Sequence, residues 1–235
     1  MDTESENQPP SADRVLRRAR VLAAIAHRGL IEQDRDRDRA RGVLAQIRRW
    51  IGNEGLHGEV EPEERARIES DVGALGAEAT VASVWRFEGA AVLGWALGLM
   101  QLPAHDRVND VGAVSTALAV GGSLPEALRA PTLRSARSID RMRERLFAIH
   151  WRVVEQRLRP GTIDLVSFAR TAWFGPLEID SSMLIDGDLG IDGAPIARAS
   201  AEALRRVASI ARERHQAINW LNGDDPIYSE VDVST

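Results

Sequence analysis

Apolar residues recur along this chain at three- and four-residue intervals far more often than they alternate, which is the spacing of one face of an α-helix. Val15, Leu16, Ala19, Leu22, Ala23 and Ala26 outline a first helix, with Asp13 as its cap and Gly29 placed to stop it. DRDRDRAR opens a second, carrying Ala40, Val43, Leu44, Ile47, Trp50 and Ile51, and its alternating charges read as a solvated face rather than an ionic binding strip. GNEGLHG is a loop with His57 at the surface. EPEERARIESDVGAL begins a third helix, with Pro62 and acids in its first turn. VWRFEGAAVLGWALGLMQLP is apolar on every side from Gly89 onward, as expected of a helix surrounded by others and ended by Pro103. Its Gly89, Gly94 and Gly98 let neighbouring backbones come close.

A loop-rich stretch runs to Pro131. Residues 135–158 then form the clearest amphipathic helix, with Ile139, Met142, Leu146, Ile149 and Val153 on one side. DLVSFARTAWF reads as one short helix. LEIDSSMLIDGDLGIDGAPI has glycines between short apolar pairs, the pattern of a small β-hairpin. Asp186, Asp188 and Asp192 in it are expected as turn residues. A calcium loop starting at Asp186 would need Gly and Glu where Ile191 and Ala197 stand. Ser200 caps a last helix that ends at Asn222 before Gly223.

These elements predict a mainly α (α+β) protein. Residues 1–12 read as a disordered tail and residues 13–235 as a single helical domain, with one small β-hairpin near residues 177–196 and a C-terminal tail packing back.

Composition narrows the function. The chain has 235 residues and no cysteine, so thiolate metal sites and disulfides are excluded. Its first residues lack the features of a secretory signal and its longest apolar run is too short for a bilayer, so a cytoplasmic, non-membrane location is expected. A formal charge of −5 argues against general nucleic-acid binding. All 30 basic residues are arginine, which points to coding bias before it points to selection. No phosphate loop, HExxH or GxSxG motif occurs, so neither a cofactor nor a metal is expected.

Candidate chemistry gathers on the last helix. Leu204, Val207, Ala208, Ala211, Ile218 and Leu221 form its apolar arc; His215 projects into the middle of that arc and Arg214 lies on its flank. Arg212, Glu213 and Gln216 take the polar side. Trp220 is apolar on that polar side and needs cover, for which PIYSEVDVST is the natural candidate. A buried arginine needs a carboxylate, and Glu88 and Asp188 stand on otherwise apolar ground. Arg214 is therefore predicted to pair with Glu88, near Arg86, and loss of that charge should cost far more than at an exposed acid such as Glu64. His215 and Asn219, four residues apart, could jointly hold a water, a metal or a substrate. With no nucleophile or second base in the helix, they read instead as a buried polar core in which His215 stays neutral. Arg134, Arg137, Arg141, Arg145 and Arg152 line up as a candidate anion or partner stripe. Asp140, Glu144 and Glu155 beside it favour a solvated face.

WRFEGAAVLGWALG, LRSARSIDRMRERLFAIHWR, DGDLGIDGAPI, ERHQAINWLNG and a tail ending VDVST together resemble, in that order, the bacterial family of the domain of unknown function forty-two seventy-two. The resemblance covers roughly residues 35–235. This chain departs from it at Ile227-Tyr228, where a tryptophan is usual, and at Ser234, where an acid is usual. The resemblance implies a WR-x-E and ERH-x-A-x-NW core but no activity. The expected function is a protein-binding or regulatory module without catalysis, its partner another protein. The competing reading is a hydrolase- or transferase-type enzyme around His215, Asn219, Glu88 and Asp188.

Overall fold

The N-terminal helix α1 (Ala12–Gln33) is the wall between two hydrophobic cores. Val15, Leu16, Ala19, Leu22, Ala23 and Ala26 face the larger core, while Val21, Ala24, Ile25 and Ile31 face a smaller one closed by α2 (Arg37–Asn53) and α3 (Pro62–Glu69). The computed structural model describes residues 8–172, 177 and 179–235. Residues 1–7 of the expected tail, Trp173 and Phe174 of the expected DLVSFARTAWF helix, and Glu178 beside the hairpin lie outside these.

Ser11, not Asp13, caps α1: its hydroxyl accepts from the Arg14 amide, and Asp13 sits inside the first turn. Nor does Gly29 stop this helix, which continues to Gln33. A Cβ at Gly29 would stand 2.7 Å from the Thr80 carbonyl oxygen and 2.8 Å from Val84 Cγ2. The glycine exists because α4 (Ala77–Ala96) crosses there, and close approach without a side chain is what allows it.

From Phe87 to Ala96 every residue of α4 is buried, as the all-apolar run from Gly89 onward requires. It ends at Leu97–Gly98, earlier than Pro103, because Gly98 takes φ +74°, the left-handed conformation that closes a helix. Gly98 is therefore a stop, whereas Gly89 and Gly94 are close-approach sites, against Tyr228 and Met100. The loop-rich stretch contains a short helix, α5 (Val111–Ala117), capped by Asp110. Helix α6 (Ala136–Leu158) packs Leu146, Ile149 and Val153 into the main core. α7 (Leu165–Thr171) precedes a three-stranded antiparallel sheet of β1 (Leu184–Ile185), β2 (Asp188–Ile191) and β3 (Ala194–Pro195).

Two Asp-Gly turns join the strands. Asp186 and Asp192 have φ +52° and +51°, and Gly187 and Gly193 have φ +80°. That double left-handed geometry suits tight hairpins, and Asp-Gly is the pair that adopts it most easily. Helix α8 (Ala201–Asn222), capped by Ser200 and closed by Gly223 at φ +89°, lies between α4 and α6. Among the described residues no helix is long and apolar enough to cross a membrane.

The two helix glycines Gly29 and Gly42 should respond oppositely to the same substitution. Gly42 lies on the open face of α2 with nothing near its missing Cβ. Gly42→Ala should therefore stabilise by about 0.5–1 kcal/mol from helix propensity alone. Gly29→Ala should lose that gain and destabilise by about 1–3 kcal/mol through overpacking against Thr80 and Val84. Urea midpoints of the two variants test this, and equal shifts would refute the close crossing.

Candidate functional site

From Glu213 to Leu221 the whole circumference of α8 is buried, so the polar side expected for Glu213 and Gln216 does not exist; Arg212 alone of that trio is exposed. The tail and α4 cover it. Each polar group in this segment is held by a partner on another element.

Arg214 is 2% exposed, and its Nε donates to Glu88 Oε2 at 2.8 Å. Its Nη2 donates to the Arg107 carbonyl at 2.7 Å, and Nη1 reaches the carbonyls of Pro103 and Ala104 at 3.4 and 3.3 Å. The backbone amide and Nδ2 of Asn109 complete the Glu88 carboxylate at 2.8 and 2.7 Å. The predicted pair is present. It also fixes the segment 103–109 onto the two helices.

Arg86 reaches Glu213 and Gln216, each at 3.1 Å, and burial pushes the Glu213 carboxyl up against the pull of Arg86. Gln216 in turn donates to the Tyr228 carbonyl at 2.8 Å. The Tyr228 ring lies between two guanidiniums, Arg18 at 4.6 Å and Arg86 at 5.6 Å, with its hydroxyl against Gly89. Cation–π attraction holds such a ring where no hydrogen bond does. Trp220 is sealed by the tail, its ring 6.0 Å from Tyr228 and its Nε1 facing the Pro226 carbonyl at 3.5 Å.

His215 does not pack among hydrocarbon alone. Its Nδ1 stands 3.0 Å from Nδ1 of His150, a partner that sequence reading missed. The signal was available: Leu146, Ile149, His150 and Val153 share the inner face of α6. At this contact one nitrogen donates and the other accepts, so the two rings cannot both be charged, and burial favours the neutral form of each. Burial pulls His215 down to about 3 and His150 to about 4, with the positive charges of Arg143 and Arg212 acting in the same direction.

Asp188 is a strand residue and fully buried, not a turn aspartate. Arg152 forks onto it at 2.7 Å through both Nε and Nη2 and also holds the Gly161 carbonyl at 2.6 Å. Glu64, expected to be exposed, is likewise buried, forked by Arg18 at 2.9 and 2.5 Å. The arginine stripe dissolves in the same way. Arg152 is inside the protein, Arg145 pairs with Asp180 at 2.8 Å, and Arg134 donates to the Trp95 carbonyl at 2.7 Å while stacking on that indole. Arg137 and Arg141 are the exposed remainder. The solvated-face expectation fails at Arg152 because a helix of this length passes under the sheet.

Three of the surface clefts bear on the candidate residues. One of about 470 Å³ has His215 and Asn219 in its lining, with Phe147, Arg143 and tail residues Asp232 and Ser234. Neither Glu88 nor Asp188 lines it, so the four residues of the enzyme reading do not converge. A second, of about 400 Å³, lies between the 101–106 segment, α6 and the sheet, where His105 bonds the Gly190 carbonyl at 2.6 Å. A third, of about 490 Å³, runs between the end of α6 and the outer face of α8, among Arg157, Arg205 and Arg212. Sequence reading missed this last group because its members are dispersed over two helices.

Glu88→Gln keeps the shape but leaves Arg214 charged and sealed, so it should destabilise by about 2–4 kcal/mol, against under about 0.5 for the exposed Glu230→Gln. Chemical denaturation of the two variants decides it. The histidine pair adds a pH signature. Unfolding lets both rings take protons at about 6.5, whereas the folded protein resists until about pH 4 and below. The stability they support is present above pH 6.5 and declines as pH falls toward 4. His215→Gln should lower stability at pH 7.5 and flatten that decline; a slope unchanged by the substitution would refute the neutral pair.

Comparison with known proteins found no match among curated proteins or solved structures. A family model, described as a domain of unknown function (DUF4272), matches residues 1–170. That range includes WRFEGAAVLGWALG and LRSARSIDRMRERLFAIHWR, while the other three resembling stretches lie beyond it. With well over half its length matched, the chain belongs to the DUF4272 family.

Proposed function

We propose that this chain is a cytoplasmic binding module without catalysis, and that it captures an acidic segment of another protein in the groove between α6 and α8. The observation that carries this reading is the state of the arginines. Most arginines of the chain are held by carboxylates, carbonyls or aromatic rings, yet Arg157, Arg205 and Arg212 converge on one groove in which no carboxylate is among the lining residues. None of the three forms an ion pair among the described residues. Ala201, Leu204 and Ala208 give the groove an apolar floor. An occupant must therefore bring carboxylates at its edge and small apolar side chains at its centre, the chemistry of an amphipathic acidic segment.

Nucleic acid fits less well. The formal charge of −5 repels a polyanion at long range, and the groove offers no aromatic platform for bases. The enzyme reading is weakened in the same way, since Glu88 and Asp188 each hold a buried arginine, Glu213 pairs with the half-buried Arg86, and none of the three carboxyls is left unpartnered to move protons.

The test uses fluorescence anisotropy with a labelled helical peptide of alternating Glu and Leu turns, its Glu→Gln counterpart and a 20-mer duplex DNA. The acidic peptide should bind, weaken with salt, and lose about 1–2 kcal/mol, roughly tenfold, in the exposed double variant Arg205→Glu/Arg212→Glu. DNA binding tighter than the peptide, or no effect of charge reversal, would overturn the proposal.

A further inference from the structure

The cleft over His215 presents two hydrogen-bond acceptors that accept nothing from the described residues. His215 is 2% exposed and its Nδ1 is taken by His150. Its Nε2 has no hydrogen bond among the described residues. Among the described residues the partnerless side-chain atoms sealed from solvent are Arg18 Nε, Asn109 Oδ1, Arg152 Nη1 and Tyr228 Oη, and Nε2 is not one of them. It therefore opens on the cleft that its residue lines. Asn219, one turn further along α8 and 8% exposed, spends its Nδ2 on the Asp232 carbonyl at 3.2 Å. Its Oδ1 is left in the same position as His215 Nε2: without a donor, not sealed, and in the lining of the same cleft.

A fixed carboxylate borders the two acceptors. Asp232 is exposed and its carboxylate is fixed by the Ser234 amide and hydroxyl, each at 2.8 Å. Glu144 and Asp224 also line the cleft, and Arg143 is the one cation among its described lining residues. Phe147, edge-on to His215 with ring centroids 5.5 Å apart, adds an aromatic side.

We infer that this cleft binds a primary ammonium group, which donates to His215 Nε2 and Asn219 Oδ1 and is neutralised by Asp232. Acceptors beneath and carboxylates above fit a cation rich in N–H donors, and Phe147 flanks its alkyl chain. An anion would meet the Asp232 carboxylate there. Binding selects one tautomer: His215 carries its proton on Nδ1 and donates it to His150 Nδ1, leaving the Nε2 lone pair for the ligand. The ammonium can belong to a small amine or to a lysine side chain of a partner, and the two sources are separable by experiment.

The full chain, with ¹⁵N in its histidines, is titrated at pH 7.5 and followed by long-range ¹H–¹⁵N spectra. The probes are n-butylammonium, acetyl-Gly-Lys-Gly-amide, tetramethylammonium and butyrate. A saturable shift at His215 Nε2 is expected from butylammonium, the peptide or both. Tighter binding of butylammonium assigns a free amine, and tighter binding of the peptide assigns a protein side chain. Tetramethylammonium, which has charge but no N–H, and butyrate should leave Nε2 in place. Asp232→Asn, at an exposed position that the fold does not depend on, should weaken amine binding roughly two- to fivefold. The inference is overturned if neither amine shifts Nε2, if tetramethylammonium or butyrate shifts it equally, or if Asp232→Asn leaves the affinity unchanged.

Discussion

A guanidinium keeps its charge wherever the chain puts it, and this chain puts four almost entirely out of water. Arg18, Arg28, Arg152 and Arg214 are at most 2% exposed. Each must find a carboxylate and enough carbonyl oxygens to replace its hydration. Those partners come from different places. Arg18 takes Glu64 and the Glu59 carbonyl, and Arg28 takes Glu32 and the carbonyls of Arg67 and Asp71. Arg152 takes Asp188 and Gly161, and Arg214 takes Glu88 and three carbonyls between residues 103 and 107. In every case the arginine sits on a long helix, and most of the carbonyls belong to short or irregular segments. The loops of this protein are therefore held by cations projecting from helices, and carbonyls that would otherwise lack donors are satisfied in the same stroke.

This arrangement explains why the molecule can carry so much polar material inside. Removing Glu88 from beside Arg214 in thought leaves a charge with nowhere to go, whereas the pair together is close to neutral and well hydrogen-bonded. The same logic makes the C-terminal tail part of the core rather than an appendage. Tyr228 has no partner for its hydroxyl and yet is enclosed, because Arg18 and Arg86 grip its ring from α1 and α4. Burial pushes the phenol's proton affinity up, so it stays neutral between two positive charges.

Periodicity made most of the helices legible, because an apolar arc at three-four spacing has few other uses. It located α6 and α8 within a residue and identified α4 as a surrounded helix from its composition alone. Arg214–Glu88 was legible for the same reason, being two charges beside apolar arcs with few partners to choose from. What stayed hidden was anything decided by two elements at once. Gly29 looks like a stop in one dimension and becomes a crossing point only once α4 arrives. Glu64 and Glu213 look like solvated helix faces until arginines from α1 and α4 cover them. Arg152 belongs to a regular stripe whose inner end happens to meet Asp188. The candidate clefts were least legible, since His150 and His215 are 65 residues apart and the arginine groove is assembled from two helices.

The central position of α1 has a consequence for how the protein is made. Helix α1 carries apolar residues on two faces, yet α4 follows only after some forty further residues and the segment that closes over it lies far downstream. Arg14 donates to the Pro226 carbonyl at 2.6 Å across 212 positions of sequence. Contacts of that span slow the search for the native state, and an exposed two-sided helix is a target for aggregation while it waits. A two-sided helix whose partners lie that far along the chain stays unseated until the late contacts form, so the order of the helices sets how long its apolar faces are exposed during folding.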